Sequence, residues 1–83
     1  MYALTYDRRI EKDVRRIPKS ERVTIFRHIE QLAENPRRSQ VEKLTGAEGY
    51  RLRVGDYRVL FTIDDPSHTV TIYRVRHRRD AYR

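Results

Sequence analysis

The spacing of apolar residues changes once along this chain, and that change limits the folds open to it. Between residues 8 and 35 apolar side chains recur every three or four positions, whereas from residue 50 onward they alternate with polar ones. The first spacing predicts helices with one apolar face, and the second predicts strands buried on one side. A chain in which helices precede a run of strands is predicted to be an α+β fold, with helices packed on one face of a sheet.

The helical half is predicted to be a hairpin of two helices. Their apolar stripes are Ile10, Val14 and Ile17 in the first helix, and Val23, Phe26, Ile29, Leu32 and Ala33 in the second. Pro18 ends the first helix, and the second begins near Lys19 or Ser20. The second helix stops at Asn35, because Pro36 disfavours a helical backbone in the residue before it.

Strands account for the remaining elements, in the order β-α-α-β-β-β. They are predicted over residues 2–6, 50–54, 57–64 and 69–76, with residues 36–49 as a loop. We therefore predict a single domain over residues 1–83, in which the helical hairpin packs on a mainly antiparallel four-stranded sheet. The pattern leaves open where the first strand lies in that sheet.

A two-residue turn, Gly55-Asp56, fixes which residues of the central hairpin face each other. The predicted pairs are Val54 with Tyr57, Arg53 with Arg58, Leu52 with Val59, Arg51 with Leu60, and Tyr50 with Phe61. Side chains alternate between faces. The face that the helices cover then collects Tyr50, Leu52, Val54, Tyr57, Val59, Phe61 and Ile63.

The other face of this hairpin collects Arg51, Arg53 and Arg58. Like charges directly opposite each other on a sheet cost up to ~1 kcal/mol, so stability does not ask for this arrangement. One interpretation is a solvated sheet face with the arginines in water or paired with Asp64. The other, which we favour, is a concavity that holds phosphates and stabilises charge on a phosphoryl group.

The C-terminal segment has the highest density of cations in the chain. In the last strand the apolar residues Val70 and Ile72 stand at even positions, whereas Tyr73 and Val75 stand at odd ones. This change of parity indicates that a β-bulge is possible in the strand. The basic tail is typical of an electrostatic arm. His77 and the arginines around it would also suit proton transfer and contact with nucleic acid.

The balance of charge favours a polyanionic partner. The chain carries 19 basic against 12 acidic residues, for a net charge of +7, and 16 of the basic residues are arginine. Arginine suits bidentate contact with phosphate, although a solvated basic surface is the plainer interpretation. The absence of cysteine excludes disulfides and thiolate chemistry, and the three histidines lack the spacing of a zinc site. We expect a soluble, cytoplasmic protein without metal, cofactor or membrane segment.

Two segments carry a resemblance to a known family. YRLRVGDYRVLF at residues 50–61 and VRHRRDAYR at residues 75–83 resemble the RelE branch of the RelE/ParE toxin superfamily. The resemblance implies a compact α+β fold of the microbial ribonuclease kind and ribosome-dependent cleavage of mRNA in the A site. It also implies a toxin that is neutralised by a cognate antitoxin, so the expected partners are that antitoxin and the ribosome with its mRNA.

The resemblance further implies which residues act. The catalytic set is Arg51, Arg53, Arg58, His77, Arg78 and Tyr82. Residues expected to bind RNA are Arg74, Arg76 and Arg79. In the implied reaction, which needs no metal, the RNA 2′-OH attacks the adjacent phosphorus and expels the 5′-oxygen. Tyr82 would stack on a base.

The base and the acid of this reaction stay open at the level of sequence. Arg51 and Arg53 stand where the family has two lysines, and a guanidinium with a pKa above ~12 stabilises charge well but accepts protons poorly. We therefore expect catalysis dominated by electrostatic stabilisation. Arg76, His77 and Arg78 compete for the acid role, and the pKa of histidine favours His77 if its ring reaches the leaving oxygen.

Two other functions fit the same features. The first is a ParE-like protein of the same fold that inhibits DNA gyrase through protein contacts and cuts no RNA. The second is a noncatalytic basic domain that binds RNA, for which the charge of the chain is sufficient.

Overall fold

The computed structural model describes residues 1–81, so Tyr82 of the predicted catalytic set lies outside the described residues. Helices precede the main run of strands, as the spacing predicts, and the α+β fold class is confirmed. The elements over residues 1–81 are β1 (Ala3–Tyr6), α1 (Ile10–Arg15), α2 (Lys19–Gln31), β2 (Val41–Lys43), β3 (Tyr50–Val54), β4 (Tyr57–Asp64), β5 (Thr69–His77) and α3 (Arg78–Ala81).

Within residues 1–81 the sheet has five strands, in the order β1-β5-β4-β3-β2, so the predicted number of four is wrong. The added strand, β2, lies in the segment predicted as a loop and pairs antiparallel with β3, with Val41 opposite Leu52. Three residues are too few for an alternating pattern to show, and the pairing arises because β3 offers an open edge. At the other side of the sheet β1 pairs parallel with β5, which settles the position of the first strand.

The predicted register of the central hairpin is confirmed. All five pairs form as expected, and Arg53 lies opposite Arg58. The bulge in the last strand is also present: Leu60 pairs with Arg74 while Phe61 pairs with Ile72, so Tyr73 is the extra residue. The extra residue shifts the alternation, and it allows Ile72 before it and Val75 after it to be buried in the same core.

The core lies between the helices and one face of the sheet. Its fully buried side chains include Ile25, Ile29 and Leu32 from the α2 region, packed with Phe61 and other sheet residues. Val23 was predicted on the buried face of α2, but its relative exposure is 51%. The buried stripe is therefore centred one residue away from the predicted one, because Ile25, Ile29 and Leu32 share the i, i+4, i+7 spacing.

One carboxylate ties α1 to the sheet where β1 ends. β1 pairs with β5 only as far as Ile72, so on that side the backbone of Val75 has no strand partner among the described residues. The Val75 N–H instead donates to Oδ2 of Asp13 at 2.9 Å. This contact places α1 beside the C-terminal half of β5. No helix in the described part of the chain has both the length and the apolarity that a membrane crossing requires.

Candidate nucleic-acid site

Three arginines lie side by side across the centre of the sheet. Arg58 on β4 pairs with Arg53 on β3 and with Arg76 on β5. Directly opposed residues on neighbouring strands share a face, with Cβ atoms roughly 4.5–5.5 Å apart. We call Arg53, Arg58 and Arg76 the arginine row. Within residues 1–81, none of the three forms a salt bridge with a carboxylate.

The neighbouring cross-strand positions are, by contrast, neutralised. Arg51 forms a salt bridge with Glu42 on β2, at 2.8 Å. Arg74 holds Asp13 with two hydrogen bonds, from Nε at 2.9 Å and from Nη2 at 3.0 Å. Arg51 and Arg74 stand in one cross-strand row, with Leu60 between them, next to the arginine row. The arginines of that adjacent row therefore have acidic partners, and the arginine row itself lacks them in the described structure.

Arg58 is buried, and the expectation that it lies open on an uncovered sheet face is wrong. Its relative exposure is 6%. Nη1 donates to the carbonyl oxygen of Gly55 at 3.2 Å and to that of Tyr57 at 3.1 Å. The side chain folds back along the hairpin turn because carbonyls there accept its hydrogen bonds. Since a guanidinium has five donors in a fixed fork, these bonds orient Nε and Nη2 for another acceptor.

Arg76 contributes a donor of the same kind. Its side chain is half-buried, and Nε is a buried atom with no hydrogen-bond partner among residues 1–81. Most buried polar atoms in proteins have a partner, so an unpaired buried donor asks for an explanation. An anion bound against the arginine row would satisfy it.

The Asp13 carboxyl responds to its surroundings in two opposing ways. Burial, the largest influence, raises its pKa, whereas the hydrogen bonds from Arg74 and the Val75 amide lower it, and the net result is a lowered pKa. The same contact raises the pKa of Arg74. Both groups are thus charged at neutral pH, and the ion pair anchors α1. Sequence reasoning missed Asp13, because nothing in the helical pattern indicates a partner 61 residues away.

His77 and Arg78 lie at the end of the sheet rather than within the arginine row. His77 pairs with Tyr57, one position out of phase with Arg58, so alternation directs it to the opposite face. Its ring meets Tyr57 edge-on, with centroids 5.2 Å apart. The Arg78 side chain is 63% exposed, and its Nη1 lies 3.8 Å from Asp56. The structure therefore brings together Arg53, Arg58 and Arg76, but does not place His77 in line with them.

A cleft of about 460 Å³ continues from this end of the sheet toward α1. Its cationic lining comprises Arg16, Arg74, Arg76 and Arg79. Arg16 follows α1 and was not among the predicted site residues. Its place in a basic helical segment was the only feature of the sequence that could have indicated it. Residues 1–81 contain no group of three or more potential metal ligands.

Comparison with known proteins identifies the fold. The chain matches the family model described as the ParE toxin of type II toxin-antitoxin systems, parDE, over residues 4–82. The structure resembles the toxin-antitoxin complex RelBE2 from Mycobacterium tuberculosis, with a TM-score of 0.82, 28% identity, and coverage of 92% of this chain and 96% of that chain. No curated protein matches the chain in sequence.

Two further solved structures share the architecture. The RelB-RelE complex from Methanococcus jannaschii has a TM-score of 0.76, 26% identity and 94% coverage of each chain. The intact RelBE complex from E. coli has a TM-score of 0.77, 24% identity, and coverage of 90% of this chain and 94% of that chain. With the family model spanning nearly all 83 residues, the chain belongs to the ParE toxin family of type II toxin-antitoxin systems, within the RelE/ParE superfamily.

Proposed function

We propose that this toxin is a metal-independent endoribonuclease that cleaves mRNA in the ribosomal A site and so inhibits translation. The observation that carries the proposal is the arginine row, which gathers three guanidinium groups without acidic partners in the described structure. Acidic partners do compensate Arg51 and Arg74, which stand in the adjacent cross-strand row. A fold selected for stability alone would gain by separating or pairing the three charges.

The reaction assigned to the row is transesterification within the RNA. The 2′-oxygen attacks the adjacent phosphorus, an O–P bond forms, and the bond from phosphorus to the 5′-oxygen breaks. The 2′-OH gives up a proton, the departing 5′-oxygen gains one, and the products end in a 2′,3′-cyclic phosphate and a 5′-OH. Negative charge grows on the phosphoryl oxygens, where preorganised donors act most strongly.

Each member of the row has a role in this scheme. Arg58 is fixed through Nη1 and presents Nε and Nη2 to a phosphoryl oxygen. Arg76 presents its buried Nε from the neighbouring strand. Arg53, which is exposed, neutralises the phosphate from the other side. The scheme needs positive charge and alignment of the 2′-OH, which guanidinium groups supply without a metal.

The remaining cationic residues extend the contact with RNA. Arg74 and Arg79 line the adjoining cleft, and the side chain of Arg78 is well exposed. Arg51 has its charge compensated by Glu42, so we assign it a supporting role. Tyr82, outside the described residues, is proposed to stack on a base.

We also propose the partners. The RelE chains of the compared complexes bind RelB antitoxins, and a toxin of net charge +7 is suited to an antitoxin with acidic surface. The substrate is mRNA held by the ribosome, which places the activity in the cytoplasm.

The test is translation of a defined mRNA on purified ribosomes, with the 3′ ends of the fragments identified. We expect the wild-type toxin to cut in the A site and leave cyclic phosphate ends. Arg58→Lys loses the fork and should slow cutting ~100-fold or more, the cost of removing one donor to a developing oxyanion. Arg27→Lys makes the same chemical change on α2 and should leave cutting unchanged.

Other outcomes would reject the proposal in favour of a specific alternative. Arrest of gyrase supercoiling with intact mRNA would identify a gyrase inhibitor. Salt-sensitive RNA binding without fragments, with ribosomes present, would identify a noncatalytic RNA-binding domain. Equal cutting by the two lysine variants would reject the assigned site.

A further inference from the structure

The short helix α3 begins next to a histidine whose ring nitrogen has a defined role. The backbone N–H of Arg79, the second residue of α3, donates to Nδ1 of His77 at 3.2 Å. A backbone amide can only donate, so Nδ1 carries a lone pair, and the neutral ring holds its proton on Nε2. The contact is that of a helix N-cap, in which a side-chain acceptor takes the N–H of the second or third residue.

The surroundings hold both the ring and the turn in this arrangement. Tyr57 meets the ring edge-on, at an interplanar angle of 87°. The preceding amide, that of Arg78, donates to the carbonyl oxygen of Asp56 at 2.6 Å. Two consecutive amides of α3 are therefore tied, one to the hairpin turn and one to His77.

We propose that His77 is a positioning residue that holds the C-terminal turn, with Arg78 and Arg79, beside the arginine row, and that protonation of its ring releases the turn. An imidazolium carries N–H on both nitrogens, so it cannot accept the Arg79 hydrogen bond. Capping and donation of the ring proton to a leaving group are therefore mutually exclusive for this side chain. The link to cleavage rests on the proposed function, whereas the capping role does not.

Charged groups from several elements surround the ring. The acidic ones are Asp13 on α1, Glu21 on α2 beside Tyr57, Asp56 in the hairpin turn and Asp80 on α3. The basic ones are Arg16 after α1, Arg76 on β5 and Arg79 on α3. None of these groups restores an acceptor at Nδ1 once the ring is protonated. Histidine commonly titrates between pH 5 and 8.

The test uses nuclear magnetic resonance on the full-length chain at pH 8 and pH 5.5. Long-range nitrogen–proton correlation reports the tautomer of His77, and hydrogen exchange reports protection of the Arg79 amide. His77→Asn keeps an acceptor that does not titrate, and His77→Ala removes the acceptor. His68→Asn makes the same change at a turn residue with a φ of +52°, a conformation asparagine tolerates, and serves as the control.

We expect the Nε2–H tautomer at pH 8, and a ~2- to 30-fold loss of Arg79 protection at pH 5.5 beyond the intrinsic pH effect, the range of an N-cap. His77→Asn should keep protection at both pH values, His77→Ala should lack it at both, and His68→Asn should behave as wild type. An Nδ1–H tautomer at pH 8, or wild-type protection in His77→Ala, would overturn the proposal.

The rate of mRNA cleavage on ribosomes is a second measurement, and its pH profile would not change if the role of His77 were purely structural. His77→Asn should cut at a rate within ~3-fold of wild type and flatten the pH profile between 5.5 and 8. A loss of ~100-fold or more in His77→Asn, the size expected for removal of a general acid, would overturn the proposal. If the wild-type chain shows the expected resonance behaviour but cuts no RNA, the positioning role stands and the proposed function fails.

Discussion

Replacement of Asp13 by alanine should destabilise this protein more than any other change to a charged residue of α1. The carboxylate is 9% exposed and accepts three hydrogen bonds, two from Arg74 and one from the Val75 N–H. Breaking a buried pair by removing one partner typically costs ~3–5 kcal/mol. Arg74 is 27% exposed and can turn partly toward water, so we expect about 3 kcal/mol.

That loss is large for a chain of this length, whose total unfolding free energy is expected to be roughly 4–12 kcal/mol. Urea titration should show it directly, and the melting temperature should fall by roughly 12–24 °C. Glu11→Ala is the matched control, because Glu11 is an exposed acidic residue of the same helix. Its effect should stay within about 0.5 kcal/mol. Equal losses in the two variants would refute the reasoning.

The dependence on pH provides a second check with a definite sign. The pKa of Asp13 is lower in the folded chain than in the unfolded one, so its stabilising contribution is present above the unfolded value, about 4. The contribution is lost as the pH falls from there through the folded pKa. The difference in unfolding free energy between wild type and Asp13→Asn should therefore shrink below pH 4. A difference that stays constant down to pH 2 would contradict this assignment.

Two further predictions concern a glycine and a salt bridge. Gly49→Ala should lower the unfolding free energy measured by urea titration by ~2 kcal/mol or more. The φ of Gly49 is +112°, and a Cβ there would lie 2.7 Å from the carbonyl oxygen of Phe61. Gly46→Ala should cost less, because Gly46 has a φ of +75° and open space around it. Glu42→Gln should release Arg51 for RNA and steepen the dependence of log binding constant on log salt by ~0.7, and an unchanged slope would contradict this.

Most of the geometry of the central hairpin can be predicted from the sequence, but little of the electrostatic environment around it can. The register that sets Arg53 opposite Arg58 follows from a two-residue turn and strict alternation, which are local properties. The change of parity in the last strand indicated that a bulge was possible, and only the structure places it at Tyr73. Burial of Arg58 was not predictable, because it depends on carbonyl oxygens of the turn that only the folded hairpin brings within reach of Nη1.

The α+β class, the pairing of the central strands and the excess of arginine on one sheet face can all be predicted from sequence, because each depends on spacing or composition over a few residues. Which of those arginines are neutralised depends instead on contacts that form only in the folded chain. Glu42 reaches Arg51 through a three-residue strand without a pattern of its own, and Asp13 reaches Arg74 across 61 residues. Side-chain charges interact according to distance in space, and neither of these two distances is encoded locally.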